Sequence, residues 1–174
     1  MLTKEISRSI RLSLMIAALA ISQRLDAPRI ASAINTISRA QETSPPFFED
    51  VVIDQNFSPD PFIVRGMSGG SVPGREIARR RETPTGTCTG YFDEEPDHTI
   101  ELTSKFDYLK IEVRSPEDTT LIIRGPGGSW CNDDFDGKNP GMIGEWLPGT
   151  YYVWIGSFKK DRYFPYTLRI TQIK

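Results

Sequence analysis

From Thr85 onward, apolar and polar residues alternate with a period of two, the signature of half-buried strands. Leu109, Ile111 and Val113 fall on one side of a strand and Tyr108, Lys110 and Glu112 on the other. Tyr166, Leu168 and Ile170 alternate in the same way with Thr167, Arg169 and Thr171. Tyr151, Val153 and Ile155 alternate with Tyr152 and Trp154, so that strand is expected to be covered on both faces. The pattern predicts strands at Cys88 to Phe92, His98 to Leu102, Tyr108 to Val113, Thr119 to Arg124, Thr150 to Gly156 and Tyr166 to Thr171. Turn signals separate them: Ser115-Pro116-Glu117-Asp118, Gly125-Pro126-Gly127-Gly128 and Leu147-Pro148-Gly149-Thr150. Strands at this spacing argue for an all-β sandwich or a small barrel. No long helical period follows residue 40, so the crossover helices of a parallel sheet have no place in the chain.

The first 33 residues read differently. Lys4, Arg8 and Arg11 give a positive start, Leu12 to Ile21 an apolar run, and Ala18-Leu19-Ala20 or Ala31-Ser32-Ala33 a small-x-small site. That is the pattern of a signal peptide. The run is short for a membrane span, which needs about 20 residues. An uncleaved anchor and a cytosolic amphipathic helix are the alternatives. Residues 34–84 read as a proline- and glycine-rich linker with edge strands at Phe47 to Ile53 and Phe62 to Val64. Residues 85–174 carry the sandwich.

The 38% apolar and 25% charged residues suit a soluble globular domain. With a formal net charge of −2 there is no global basic footprint, so nucleic acid is not an expected partner. Arg75 to Arg81 is locally basic and reads as a solvated turn or short helix, with a polyanion patch as the alternative. The two cysteines, Cys88 and Cys131, do not form a C-x-x-C pair. In an exported chain they are expected to form a disulfide, against the alternative of two unrelated buried thiols.

Candidate chemistry is sparse. Gly66-Met67-Ser68-Gly69-Gly70 satisfies G-x-S-x-G, with Asp93 or Asp97 and His98 following in hydrolase order. It also resembles the G-D-S-G-G of trypsin-like peptidases, but Met67 replaces the aspartate and no histidine lies upstream. A serine without a base is a weak nucleophile, so a glycine loop is the expected role and a serine hydrolase fragment the alternative. Asn132, Asp133, Asp134 and Asp136, followed by Gly137, mimic the first half of a calcium loop. Ile143 stands where the bidentate glutamate would be, and an Asx-rich turn is the alternative. One histidine and two separated cysteines make zinc improbable, and His98 is expected at the surface or as a capping residue. Trp130 and Trp146 are expected in the core, whereas Tyr152 and Trp154, on the alternate face of one strand, are the binding candidates.

Three ordered segments carry a resemblance to a known family. They are Asp118-Thr-Thr-Leu-Ile-Ile-Arg-Gly-Pro-Gly-Gly-Ser-Trp130, Cys131-Asn-Asp-Asp-Phe-Asp-Gly-Lys-Asn-Pro140 and Leu147-Pro-Gly-Thr-Tyr-Tyr-Val-Trp-Ile-Gly156, closed by Tyr166-Thr-Leu168. Upstream, Pro96-Asp97-His98-Thr-Ile100-Glu-Leu102 fits the first-half strand. Together they resemble the bacterial pre-peptidase C-terminal (PPC) domain, in the version carried by exported cyanobacterial proteins. The match covers about residues 85–174. It implies an antiparallel, jelly-roll-like β-sandwich and a non-catalytic domain, in some members binding calcium or matrix polymers. The combined expectation is a secreted or periplasmic binding or accessory module with optional calcium. Its partner would be an extracellular protein or polysaccharide, with membrane contact only through an uncleaved N-terminal helix.

Overall fold

A computed structural model describes residues 47–174; the expected signal segment and the start of the expected linker lie outside the described residues. Thirteen strands and one helical turn follow in order: β1 (Val51–Ile53), β2 (Phe62–Ser68), β3 (Val72–Pro73), α1 (Gly74–Ile77), β4 (Glu82–Thr83), β5 (Gly86–Thr87), β6 (Tyr91–Phe92), β7 (His98–Leu102), β8 (Phe106–Arg114), β9 (Thr119–Gly125), β10 (Gly128–Asn132), β11 (Gly141–Trp146), β12 (Gly149–Ser157) and β13 (Phe164–Thr171).

They build two packed sheets and a small hairpin. The four-stranded sheet runs β11–β8–β13–β2. In the seven-stranded sheet β12 is central. Residues 152–157 pair with β9, which in turn pairs with β10. The other edge of β12 takes β7 along residues 149–153 and β6 at Ser157. β1 lies beyond β7 and β3 beyond β6. The pairings are antiparallel except β1 on β7 and the bridge from Phe47 to Arg65. β4 and β5 form the separate hairpin. The chain is thus an all-β sandwich.

The alternation read from the sequence is the inside and outside of these sheets. Leu109, Ile111 and Val113 of β8, Leu168 and Ile170 of β13 and Val64 of β2 face Ile100, Leu121, Ile123, Val153 and Ile155 across the interior. All are at most 1% exposed. Burying each such side chain stabilises the fold by about 1.5–3 kcal/mol.

A second apolar cluster lies on the other face of the larger sheet. Ile77, Ala78, Cys88 and Phe92, with Val72 beside them, cover Ile122, Cys131 and Trp154. The Cys88–Cys131 disulfide staples that covering segment to β10. β12 is therefore covered on both faces, and the burial of Trp154 follows from this second layer.

From residue 47 onward the expected edge strands are present as β1 and β2, and the segment around them is part of the sandwich instead of a linker. β2 keeps a seven-residue register with β13, from Phe164 opposite Ser68 to Ile170 opposite Phe62. Pro59 and Pro61 lie in the connection before β2, and both follow cis bonds. The glycines match partners distant in sequence. Gly66 lies opposite Tyr166, whose ring fills the space a side chain would need: a Cβ on Gly66 would fall onto the Tyr166 hydroxyl and ring.

Candidate binding cleft

The two long edges of the sandwich are finished differently. At β10, the β4–β5 hairpin covers the edge: Cys131 N–H donates to Thr83 Oγ1 at 3.0 Å, Thr85 Oγ1 donates to the Cys131 carbonyl at 2.9 Å, and Asn132 Nδ2 donates to the Thr85 carbonyl at 3.2 Å. Side-chain bonds thereby occupy backbone groups that an edge strand would otherwise expose. Among the described residues, β11 pairs with β8 on one side and with no strand on the other. Between β10 and β11 a cleft of about 250 Å³ opens into the sandwich.

Three aromatic residues form its floor and wall. Trp146 and Tyr151 stand 5.1 Å apart between ring centroids, and Trp130 lies 6.4 Å from each. Their fixed positions follow from local bonds. Trp146 Nε1 donates to the Leu109 carbonyl at 3.0 Å, and Tyr151 Oη donates to the Leu147 carbonyl at 2.9 Å. Tyr151 also packs over Gly125, where a Cβ would run into its ring. Met142 and Leu147 add apolar surface at the rim. The register of β11 against β8 shifts between Gly144 and Trp146, which turns the Trp146 ring inward. Gly144 is the residue that leaves the cleft open: a Cβ built there meets no heavy atom within 4 Å.

Two polar side chains around this space have partners within the fold. Thr85 bonds Cys131, as above, and Glu145 bonds Lys105 at 3.2 Å. The walls offer mainly ring faces and aliphatic surface, beside the backbone edge of β11. Such a surface gains from burying an apolar group, and gives little to a ligand that must replace water hydrogen bonds.

The residues singled out from sequence lie elsewhere or play other parts. Tyr152 is 46% exposed, whereas Trp154, 6.4 Å from it, is 6% exposed. Trp154 is held under Arg124 at 5.9 Å and donates from Nε1 to the Glu94 carbonyl at 3.3 Å. Its ring is part of the second apolar cluster, so the exposed two-residue strip expected on β12 reduces to Tyr152. Trp146 is in the core as expected; half-buried Trp130 packs against the core and faces the cleft.

In the 132–137 loop, Asn132 uses both ends of its amide on backbone: Oδ1 accepts from Gly141 N–H at 2.9 Å and Nδ2 donates to Thr85. The N–H groups of Phe135 and Asp136 both donate to the Asn139 carbonyl, closing a tight turn with Gly137 at φ 63°. Asp136 points toward Arg114 at 3.7 Å. Burial, then the charges of Asp134 and Asp118, push the Asp133 carboxyl up. Among the described residues, no three His, Cys, Asp or Glu side chains converge as a metal ligand set.

Ser68 is fully buried on β2, and its Oγ lies 3.3 Å from Ser157 Oγ. His98 is 1% exposed, which corrects its expected surface position. The Glu49 carbonyl, 2.9 Å from Nδ1, can only accept, so Nδ1 carries the proton. Neutral Nε2 then accepts from the Tyr166 hydroxyl at 2.7 Å. Burial lowers the His98 pKa and raises that of Tyr166, so both groups are held neutral. Asp97 Oδ2 accepts from Ile155 N–H at 2.7 Å, and burial pushes this carboxyl up to about 7. His98 is thus bonded to Glu49 and Tyr166, and Ser68 to Ser157; the two do not form a nucleophile–base pair.

No family model matches the chain. An uncharacterized protein of Synechococcus elongatus is 29% identical over 86 residues, which is 47% of this chain. The chain covers 63% of that relative's length. The crystal structure of the pre-peptidase C-terminal domain of a collagenase from Bacillus anthracis overlays with a TM-score of 0.42 at 12% identity, covering 74% of this chain and 99% of that domain.

Sequence reasoning missed the cleft because it missed β10 and β11. Both are short and glycine-bearing, and neither shows a sustained alternation. The available signal was a gap: Trp130 and Trp146 flank a stretch in which Gly141 and Gly144 supply no side chain.

Proposed function

We propose that this domain is a non-catalytic, exported binding module that recognises an extracellular protein by taking one of its apolar side chains into the cleft beside β11. The observation that carries the reading is the cleft itself, open because Gly144 has no side chain and lined by Trp130, Trp146 and Tyr151. An apolar cavity of about 150 Å³ holds a benzene ring, so about 250 Å³ suits one leucine, phenylalanine or tyrosine side chain. The edge of β11, unpaired among the described residues, offers backbone groups to an extended partner segment, the strand-addition mode in which a pocket supplies specificity.

The ordered motifs between Asp118 and Leu168 resemble those of PPC domains, which supports an accessory role. The disulfide and the signal-like N-terminal sequence support a periplasmic or extracellular location. Burial of Ser68 and the bonding of His98 to Tyr166 argue against catalysis by that pair.

The test is a series of extended, fluorescently labelled peptides that differ at one central residue: Leu, Phe, Tyr or Ser. The reading predicts anisotropy binding that ranks the three apolar or aromatic peptides above Ser. Gly144→Leu, which fills the space without a backbone clash, is expected to weaken that binding at least tenfold while melting at the parent temperature. Equal binding to both proteins, or no preference among the peptides, overturns it.

A further inference from the structure

A second feature lies at the end of the sandwich away from any use in the cleft. Two clefts, of about 650 and 380 Å³, share the side chain of Phe158. The first is flanked by Arg75 and Arg81, the second by Lys138, Lys159 and Arg162. Five cations face two carboxylates, Glu117 and Asp118, in a chain whose net charge is −2. Arg75 reaches Glu76 at 3.6 Å, and both are exposed. Among the described residues none of the other four cations is in an ion pair.

The segments that present these cations are fixed. Phe158 N–H donates to the Asp118 carbonyl at 3.2 Å and Asp161 N–H to the Gly70 carbonyl at 3.0 Å, which anchors the 158–163 loop at two points. Ile77 and Ala78, between Arg75 and Arg81, are buried, and the Cys88–Cys131 bond closes the same segment. Uncompensated cations on an anchored backbone lose little order when an anion arrives. Phe158 is 48% exposed between them, an apolar ring standing where a chain crossing from one cleft to the other would pass.

We propose that this end of the molecule binds an acidic polysaccharide, with the arginine and lysine side chains on carboxylate or sulfate groups and the Phe158 ring against a sugar face. Charge complementarity argues for a polyanion. The shared aromatic residue between two clefts favours a linear chain of rings over the flat surface of a bilayer. The inference is independent of the cleft at β11.

The experiment measures binding of polygalacturonate and dextran sulfate by the full chain at low salt, with neutral dextran as reference. Both acidic polymers are expected to bind and dextran not, with affinity falling as salt rises. Arg81→Ala with Arg162→Ala is expected to raise Kd roughly tenfold, and Phe158→Ala several-fold. Arg65→Ala with Lys174→Ala removes the same charge elsewhere and is expected to change Kd less than about twofold. Thermal melts establish that each variant is folded. Equal loss in both double variants would reduce the effect to net charge and overturn the proposal. So would absence of binding, or tighter binding to phosphatidylglycerol vesicles or single-stranded DNA. Gly144→Leu is expected to leave polysaccharide binding unchanged, so failure of either site reading is seen separately.

Discussion

The two sides of this sandwich use the same materials to opposite ends. On the side of β1 and β2, Gly66 faces Tyr166, whose ring occupies the space the glycine leaves and whose hydroxyl bonds His98. On the side of β10 and β11, Gly144 faces open space, and the aromatic rings of Trp130, Trp146 and Tyr151 line a gap. The difference teaches that a strand glycine has no fixed meaning. It makes room, and what enters that room depends on the cross-strand neighbour. One side has been filled from within the chain; the other is open.

Four variants sharpen the contrast. The largest expected effect is on the staple that holds the covering segment to β10, next to the open side. A cross-link between residues 43 apart is worth about 4 kcal/mol in the chain-entropy view, so Cys88→Ser with Cys131→Ser is expected to lower stability by roughly that amount in urea unfolding. A loss below ~1 kcal/mol would show that the second layer holds without it.

Next comes the filled side. Gly66→Ala places a methyl on the Tyr166 ring and is expected to cost about 1–3 kcal/mol by the same measurement.

A smaller effect depends on pH. Burial raises the Asp97 pKa from 3.8 to about 7, so the folded state binds a proton there that the unfolded chain has released. Stability from this group is therefore complete below about pH 4 and is lost as pH rises toward 7. Asp97→Asn keeps an acceptor for Ile155 N–H and is expected to melt several degrees above the parent at about pH 8, with no difference at about pH 4. Buried His98 works in the opposite sense, since its lowered pKa removes stability as pH falls below its ordinary 6.5. A parent that is equally stable across the range, with an equally flat variant, would contradict the Asp97 assignment.

The smallest effect belongs to the open side: Gly144→Ala meets no atom within 4 Å and is expected to change stability by less than ~0.5 kcal/mol. Equal cost at Gly66 and Gly144 would erase the distinction between the two sides.

Much of the fold was legible in the sequence. β7 spans the predicted residues, and β8, β9, β12 and β13 extend theirs by one or two at one or both ends, because alternation survives in strands with one face in the core; of the strand expected from Cys88 to Phe92 only Tyr91–Phe92 forms. The disulfide was legible from its context, and the Asn132 turn from its chemistry. Within residues 47–84 the edge strands β1 and β2 were legible but their integration into the sandwich was not, because proline and glycine were read locally. Their meaning came from partners about a hundred residues away, as with Gly66 and Tyr166. Cover on both faces of β12 was legible from its apolar residues on both sides, but which of Tyr152 and Trp154 the second layer buries was not, because that depends on the segment from Val72 to Cys88 packing over it. The cleft was invisible for a related reason: it is an absence created by Gly144 between two strands that show little pattern.

The most direct test follows the Trp130 indole N–H and the Gly144 amide by two-dimensional NMR while p-cresol, a tyrosine side-chain analogue, is titrated in. The account predicts saturable shifts at both signals, with the Trp154 indole and the amides around Gly66 and Tyr166 unmoved. Shifts centred on the β1–β2 side, or none at Trp130 and Gly144 at saturating probe, would contradict it.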